Sequence, residues 1–143
     1  MPAPQIAAIF SKVPLMKHRL CPCDSGQQLA RCCGRFVFAA QAPATAEQLM
    51  RSRYVAYVLG EQDYLLRTWH PDTRPADLPL SHDSTWLGLQ ILRRVQQSEN
   101  HALVEFVARY RINGKGYRLH ETSRFERLGN QWLYLDGRFA EEK

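Results

Sequence analysis

The stretch His101-Ala102-Leu103-Val104-Glu105-Phe106-Val107-Ala108-Arg109-Tyr110-Arg111-Ile112 runs directly into Asn113-Gly114-Lys115-Gly116. Val104, Phe106, Ala108, Tyr110 and Ile112 fall on one face of an extended chain, and Glu105, Arg109 and Arg111 fall on the other. That period of two predicts a half-buried strand. Asn113-Gly114 then supplies the left-handed residues that a tight hairpin needs, so the chain must return antiparallel. The returning run places Leu119, Glu121, Ser123 and Phe125 on one face. Gly129-Asn130 turns it again into Trp132–Asp136, and Trp86–Gln96 upstream supplies a fourth strand.

Further upstream the pattern changes. Asp72–Ser84, rich in Pro, Asp and Ser, reads as a loop. Before it, Gln62–Trp69 predicts a short helix that must stop near His70, because Pro71 restricts the residue preceding it. Thr45 and Gln48 form a Thr-x-x-Gln capping box. Leu49, Met50, Tyr54, Tyr57 and Val58 follow at helical spacing, and Gly60 offers a left-handed stop, which together predict a helix over 46–59. Helices followed by an antiparallel meander make an α+β layer in which the sheet curls around the helices.

All four cysteines lie in one short segment, Cys21-Pro22-Cys23-Asp24-Ser25-Gly26-Gln27-Gln28-Leu29-Ala30-Arg31-Cys32-Cys33-Gly34. Two close cysteine pairs joined by a glycine-containing turn can supply the four soft ligands of a tetrahedral zinc site. Adjacent cysteines bridge poorly as disulfides, and no basic, apolar and small-residue export pattern precedes them, so a reducing, cytoplasmic setting is expected. With every corner taken by thiolate, such a zinc is structural and leaves no position for a catalytic water. Cys21, Cys23, Cys32 and Cys33 are therefore the predicted metal ligands. His18 is the alternative ligand, read more simply as solvated.

The expected organisation is a flexible leader over 1–17, a zinc module over 18–35, a linker over 36–44, the helix-and-sheet domain over 45–138 and a short tail over 139–143. No apolar run reaches the length of a membrane span, so no membrane association is expected. The formal net charge of +5 is modest, and metal-bound thiolates would lower it further. Because the arginines are dispersed, nucleic-acid binding through Lys17, Arg19, Arg31 and Arg35 is a secondary expectation.

Cys-Pro-Cys-x-Ser-Gly followed by Cys-Cys-Gly resembles the SEC-C motif, a small zinc module also found at the C-terminus of the SecA translocase. Asp24 stands where that motif usually has glycine. The remaining chain resembles the bacterial YchJ family in Leu49-Met50-Arg51-Ser52-Arg53-Tyr54, Asp63-Tyr64-Leu65 with Thr68-Trp69-His70-Pro71, Val104–Tyr110, Glu121-x-Ser123-x-Phe125 and Trp132-x-Tyr134-x-Asp136-Gly137. The resemblance spans residues 19 to about 138. It implies a domain similar to the nuclear-transport-factor-two-like, cystatin-like cone, in which a curved antiparallel sheet wraps N-terminal helices.

Three functions are compatible with this reading. The first is a binding or adaptor protein whose zinc module meets a protein partner. The second is a small-molecule binder or enzyme using the cone pocket, with Tyr54, Tyr57, His70, Glu121 and Ser123 as pocket candidates and no residue assigned as catalytic. The third is nucleic-acid binding through the zinc module. Glu121 is expected to face inward, where a carboxylate must be paired or shift its pKa, and its expected partner is Arg51 or Arg53. His70 is expected to cap the end of its helix through a carbonyl.

Overall fold

A computed structural model describes residues 19–81 and 83–140; the expected leader, Lys17 and His18 lie outside the described residues. A 3-10 turn at Leu29–Arg31 leads into α1 (Gly34–Val37), α2 (Ala46–Leu59) and α3 (Gln62–Arg67). Four strands follow, β1 (Ser84–Gln96), β2 (His101–Ile112), β3 (Lys115–Leu128) and β4 (Gln131–Phe139). They form an antiparallel meander in the order β1-β2-β3-β4.

The sheet takes its register from its turns. Asn113 and Gly114 both have positive φ, and the pairing Ile112↔Lys115 closes a two-residue hairpin around them. Register shifts between Trp86 and Gly88, between Ile91 and Arg93, and between Arg124 and Phe125 mark irregularities in the ladder. Such bulges bend a strand and increase its twist, which curves the sheet around α2.

α2 begins where the capping box places it. Thr45 Oγ1 accepts from the Gln48 backbone N–H at 3.1 Å, and Gln48 Oε1 accepts in return from Ala44 N–H at 2.8 Å. Gly60, at φ 73°, ends the helix in the left-handed conformation. Leu49 and Val55 are fully buried against Leu65 of α3 and Val104 and Phe125 of the sheet. Full burial of each such side chain contributes about 1.5–3 kcal/mol.

α3 is shorter than its sequence suggests, because residues 68–70 join the sheet edge. Tyr134 N–H donates to Thr68 O at 2.9 Å and His70 N–H donates to Tyr134 O at 2.7 Å, a parallel bridge centred on Trp69 and Tyr134. These bonds with β4 take the backbone out of the helix before Pro71 becomes relevant.

The cysteine segment is packed into the same core. Cys21, Cys23, Leu29, Cys33 and Phe36 join one buried cluster with Leu49, Leu65 and Phe125. The stretch expected as a linker begins inside this cluster, with Phe36 and Val37 helical and buried. Polar ties reinforce the contact: Arg51 Nη1 donates to Cys23 O at 2.7 Å, and Arg67 Nη2 to Phe36 O at 3.3 Å.

Candidate metal centre and cone cavity

Short-range backbone bonds close the cysteine segment. Cys21 N–H donates to Gln27 O at 2.8 Å, and Leu29 N–H donates to Arg19 O at 2.7 Å, which folds the first cysteine pair back over the turn. The 3-10 turn and α1 then present Cys32 and Cys33. All four Sγ atoms lie within 4.8 Å of one another, and all four residues are buried. Cys23 and Cys32 Sγ are 3.6 Å apart, and Cys32 and Cys33 Sγ 3.9 Å. A tetrahedral ion with metal–sulfur bonds of about 2.3 Å requires sulfur–sulfur edges of about 3.8 Å. The residues therefore fit a metal ion.

The electrostatics point the same way. Donation from the Cys21 and Cys33 thiols pushes the Cys23 pKa well below its ordinary value. The Cys33 thiol is pushed far up by its contacts with Cys21 and Cys23 and by burial, and the contact with Cys23 raises Cys21 to about 12. Among Cys21, Cys23 and Cys33 one thiolate is favoured, and further ionisation needs a cation to offset the repulsion.

Asp24 has φ 63°, the left-handed region that asparagine and aspartate tolerate better than most residues. Its carboxylate gives it a further role, because Oδ2 accepts from Leu89 N–H of β1 at 3.0 Å. Aspartate therefore keeps the turn and adds a tie from the cysteine segment to the sheet.

A second site opens between α2 and the concave face of the sheet. It is a cavity of about 290 Å³ walled by Tyr54, Tyr57, Trp86, Phe106 and Tyr134, with Arg53, Glu121 and Ser123 among its polar groups. Four of the five residues expected in a pocket are brought together here: Tyr54, Tyr57, Glu121 and Ser123. Ser123 Oγ donates to Glu121 Oε2 at 2.5 Å. Gly137 on β4 makes room for this carboxylate, since a Cβ there would collide with Glu121 Oε2.

Arg53 is buried and donates through Nη1 to Leu65 O at 2.7 Å and to Thr68 Oγ1 at 2.8 Å. Its guanidinium lies 4.5 Å from the Tyr134 ring centroid and 5.0 Å from that of Trp69. Burial pushes the Arg53 pKa down, while Tyr57, Tyr134, Tyr64 and Glu121 oppose that shift. Burial raises the phenols of Tyr54, Tyr57 and Tyr134, with Tyr54 reaching about 12.

Residues 45–137 match the family described as YchJ, middle NTF2-like domain, and residues 20–35 match the SEC-C motif. The chain belongs to the YchJ family.

Similar YchJ-family proteins include a UPF0225 protein of Ralstonia nicotianae, 53% identical over 129 residues, covering 82% of this chain and 89% of that protein. A UPF0225 protein of Bordetella parapertussis is 52% identical over 130 residues, covering 88% of this chain and 97% of that one. Among solved structures, a SEC-C motif-containing protein from Rhodopseudomonas palustris superposes with a TM-score of 0.75 at 32% identity, covering 85% of this chain and 98% of that chain. A SEC-C motif-containing protein from Psychrobacter arcticus gives a TM-score of 0.75 at 25% identity, covering 90% of this chain and 87% of that chain.

Within this YchJ-family fold two side chains depart from expectation. Glu121 makes no ion pair with Arg51 or Arg53 among the described residues. Arg51 is held by Glu47 Oε2 at 2.9 Å and by Cys23 O, and Arg53 by the end of α3. Both arginines are drawn to acceptors nearer their own helix. His70 lies outside the cavity and does not cap α3; its Nε2 meets Glu126 Oε2 on β3 at 2.9 Å, and its Nδ1 accepts from Asp72 N–H at 3.0 Å. Tyr134, which lines the cavity, and Gly137, which backs the Glu121 carboxylate, were not among the expected site residues. The alternation Trp132-x-Tyr134 carried a signal for the first, and nothing local carried one for the second.

Proposed function

We propose that the four thiolates hold one structural Zn²⁺ and that the protein is a binding module, meeting a protein partner through the exposed rim of its cysteine segment. The observation that carries this reading is the closed cage of four buried sulfurs at tetrahedral spacing. When bound, the ion supplies a cross-link between Cys21–Cys23 and Cys32–Cys33, with no coordination position open for substrate. Thiolates of this kind persist in a reducing compartment, which supports a cytoplasmic setting. Among the described residues no helix is long and apolar enough to cross a membrane.

The rim supports protein recognition better than nucleic-acid binding. Leu20 is 64% exposed, and Gln27, Ala30 and Arg31 are exposed beside the segment's turns. Arg35 is turned inward: its Nε donates to Cys32 O at 2.9 Å and its guanidinium lies 4.6 Å from the Phe36 ring centroid. Among the described residues that leaves Arg19 and Arg31 as rim cations without an acceptor, a small positive patch for tracking a phosphate backbone. The test is site-specific photocrosslinking in cells from positions 20 and 30, with position 115 at the far hairpin as the control. A shared protein adduct from the first two, absent from the third and lost in Cys32→Ser, is expected. Equal adducts from all three positions, or recovery of nucleic acid in place of protein, would contradict the reading.

A further inference from the structure

The cone cavity holds two buried groups of opposite charge that, among the described residues, make no hydrogen bond or ion pair with each other. No hydrogen bond from Arg53 Nε or Nη2 is found among the described residues, although Arg53 is 4% exposed. Glu121, 9% exposed, has its single hydrogen bond to Ser123, on Oε2, leaving Oε1 without a partner among the described residues. Trp69 Nε1 is the one fully buried side-chain polar atom without a partner among the described residues, so the unbonded Arg53 and Glu121 atoms keep some contact with solvent in the cavity. Neither group is sealed in the core, because both line the same cavity. Tyr57 and Tyr134 stand within electrostatic reach of both, and their phenols remain neutral at physiological pH.

We propose that this cavity binds a small, flat, neutral aromatic molecule with an amide-type edge, whose carbonyl accepts from Arg53 and whose N–H donates to Glu121. The charge balance selects against the alternatives. One buried cation and one buried anion leave the cavity with no net charge, so a charged ligand would bring in a charge that one of the two groups repels. A purely apolar ligand would fill the space and leave both groups unmet. The walls suit a planar body, since the Tyr54 and Tyr57 rings each lie against Trp86, at centroid distances of 5.7 and 6.0 Å, and all three line the cavity. A cavity of about 290 Å³ is at the small end of ligand pockets, which limits the occupant to one or two fused rings. Tyr57 and Trp86 also line an open groove of about 760 Å³ beside the end of α2, which places the cavity next to solvent-exposed space.

This inference is independent of the zinc reading and is tested on the full chain as isolated, metal included. Benzamide, benzoate, benzylamine and toluene share one ring and differ in their polar edge. Titrated separately and followed by backbone amide NMR, benzamide is expected to bind most tightly, in the millimolar range proper to so small a ligand, and to shift the amides of Tyr57, Glu121 and Ser123. In Glu121→Gln the cavity carries a net positive charge. Benzamide is expected to weaken about tenfold and benzoate to become the preferred probe. A damaged fold lowers all affinities together and does not reverse a preference. Ala108→Leu, which projects a larger side chain from β2 into the cavity, is expected to abolish binding of all four probes. The proposal is overturned if benzoate, benzylamine or toluene binds the parent protein as well as benzamide. It is equally overturned if no probe shifts the cavity amides, if Glu121→Gln leaves the preference unchanged, or if binding survives Ala108→Leu.

Discussion

The cysteine segment and the cone cavity differ in how they treat buried polar groups. In the segment, four sulfurs face one another at the spacing of a metal tetrahedron, and backbone bonds close the segment around them. In the cavity, Arg53 and Glu121 share a space without meeting, on a rigid frame of helix and sheet. The first arrangement is complete once an ion is present and has nothing left to offer a substrate. The second keeps donor and acceptor atoms without protein partners among the described residues in the lining of a cavity, an arrangement found in ligand sites. Metal-dependent stability and small-molecule recognition are thus assigned to separate parts of one core.

Breaking the cage should have the largest effect. Cys32→Ser removes one corner of the tetrahedron and leaves three thiols crowded in a buried site, so metal should be lost and stability should fall by about 5 kcal/mol or more. Because Leu29 and Phe36 pack in the same cluster as Leu49 and Leu65, calorimetry should show one shared transition moving down. Two transitions, with the upper one unmoved, would show the segment to be an independent unit.

The frame of the cavity comes next. Phe125 is 1% exposed and packs edge-on against Tyr134 with ring centroids 5.9 Å apart. Phe125→Ala should cost about 3–5 kcal/mol by urea denaturation with metal content unchanged. A loss of metal together with stability would erase the division between the two regions.

A smaller effect is expected at alkaline pH. The ordinary tyrosine pKa is 10, and burial raises Tyr54 in the folded protein to about 12. Between these values the unfolded chain releases a proton that the folded chain keeps, so stability is full below pH 10 and falls as pH rises towards 12. Ultraviolet titration should show Tyr54→Phe losing one late-ionising phenol. A titration curve matching the parent's above pH 10 would contradict the burial argument.

The smallest effect is expected at Glu121. With no cation paired to it, Glu121→Gln should leave the thermal midpoint unchanged or raise it slightly, because a buried charge is replaced by a neutral amide of the same shape. A paired carboxylate would instead cost about 3 kcal/mol when removed. A clear drop in the midpoint would show that Glu121 has a structural partner after all.

The contrast between the regions also explains what the sequence could disclose. The cage is local: its ligands lie within one short segment, and their types and spacing name the chemistry. The same holds for α2, whose Thr45 cap and Gly60 stop are neighbours of the residues they bound, and for the Asn113-Gly114 hairpin. The alternation along β2 and β3 correctly placed Phe106, Glu121 and Ser123 on the inner face. Long-range pairing was not legible. The early end of α3 depends on Tyr134, far along the chain, bonding to Thr68 and His70. Glu121 was expected to meet an arginine because both types face the core. Which acceptor takes each arginine depends on the seating of α2 against α3 and on the nearby Cys23 carbonyl. The space that Gly137 leaves for the carboxylate is visible only once β4 lies beside β3.

Native mass spectrometry of the full chain, made in zinc-replete medium and kept reduced, tests the central claim most directly. The account predicts a single species that, at equal ion charge, is heavier than the metal-free chain by one zinc less the two protons its charge replaces, with Cys21, Cys23, Cys32 and Cys33 as thiolates and the metal released on acidification as protons reclaim them. A metal-free chain with four thiols, or one lighter by the hydrogens of two disulfides, would contradict it.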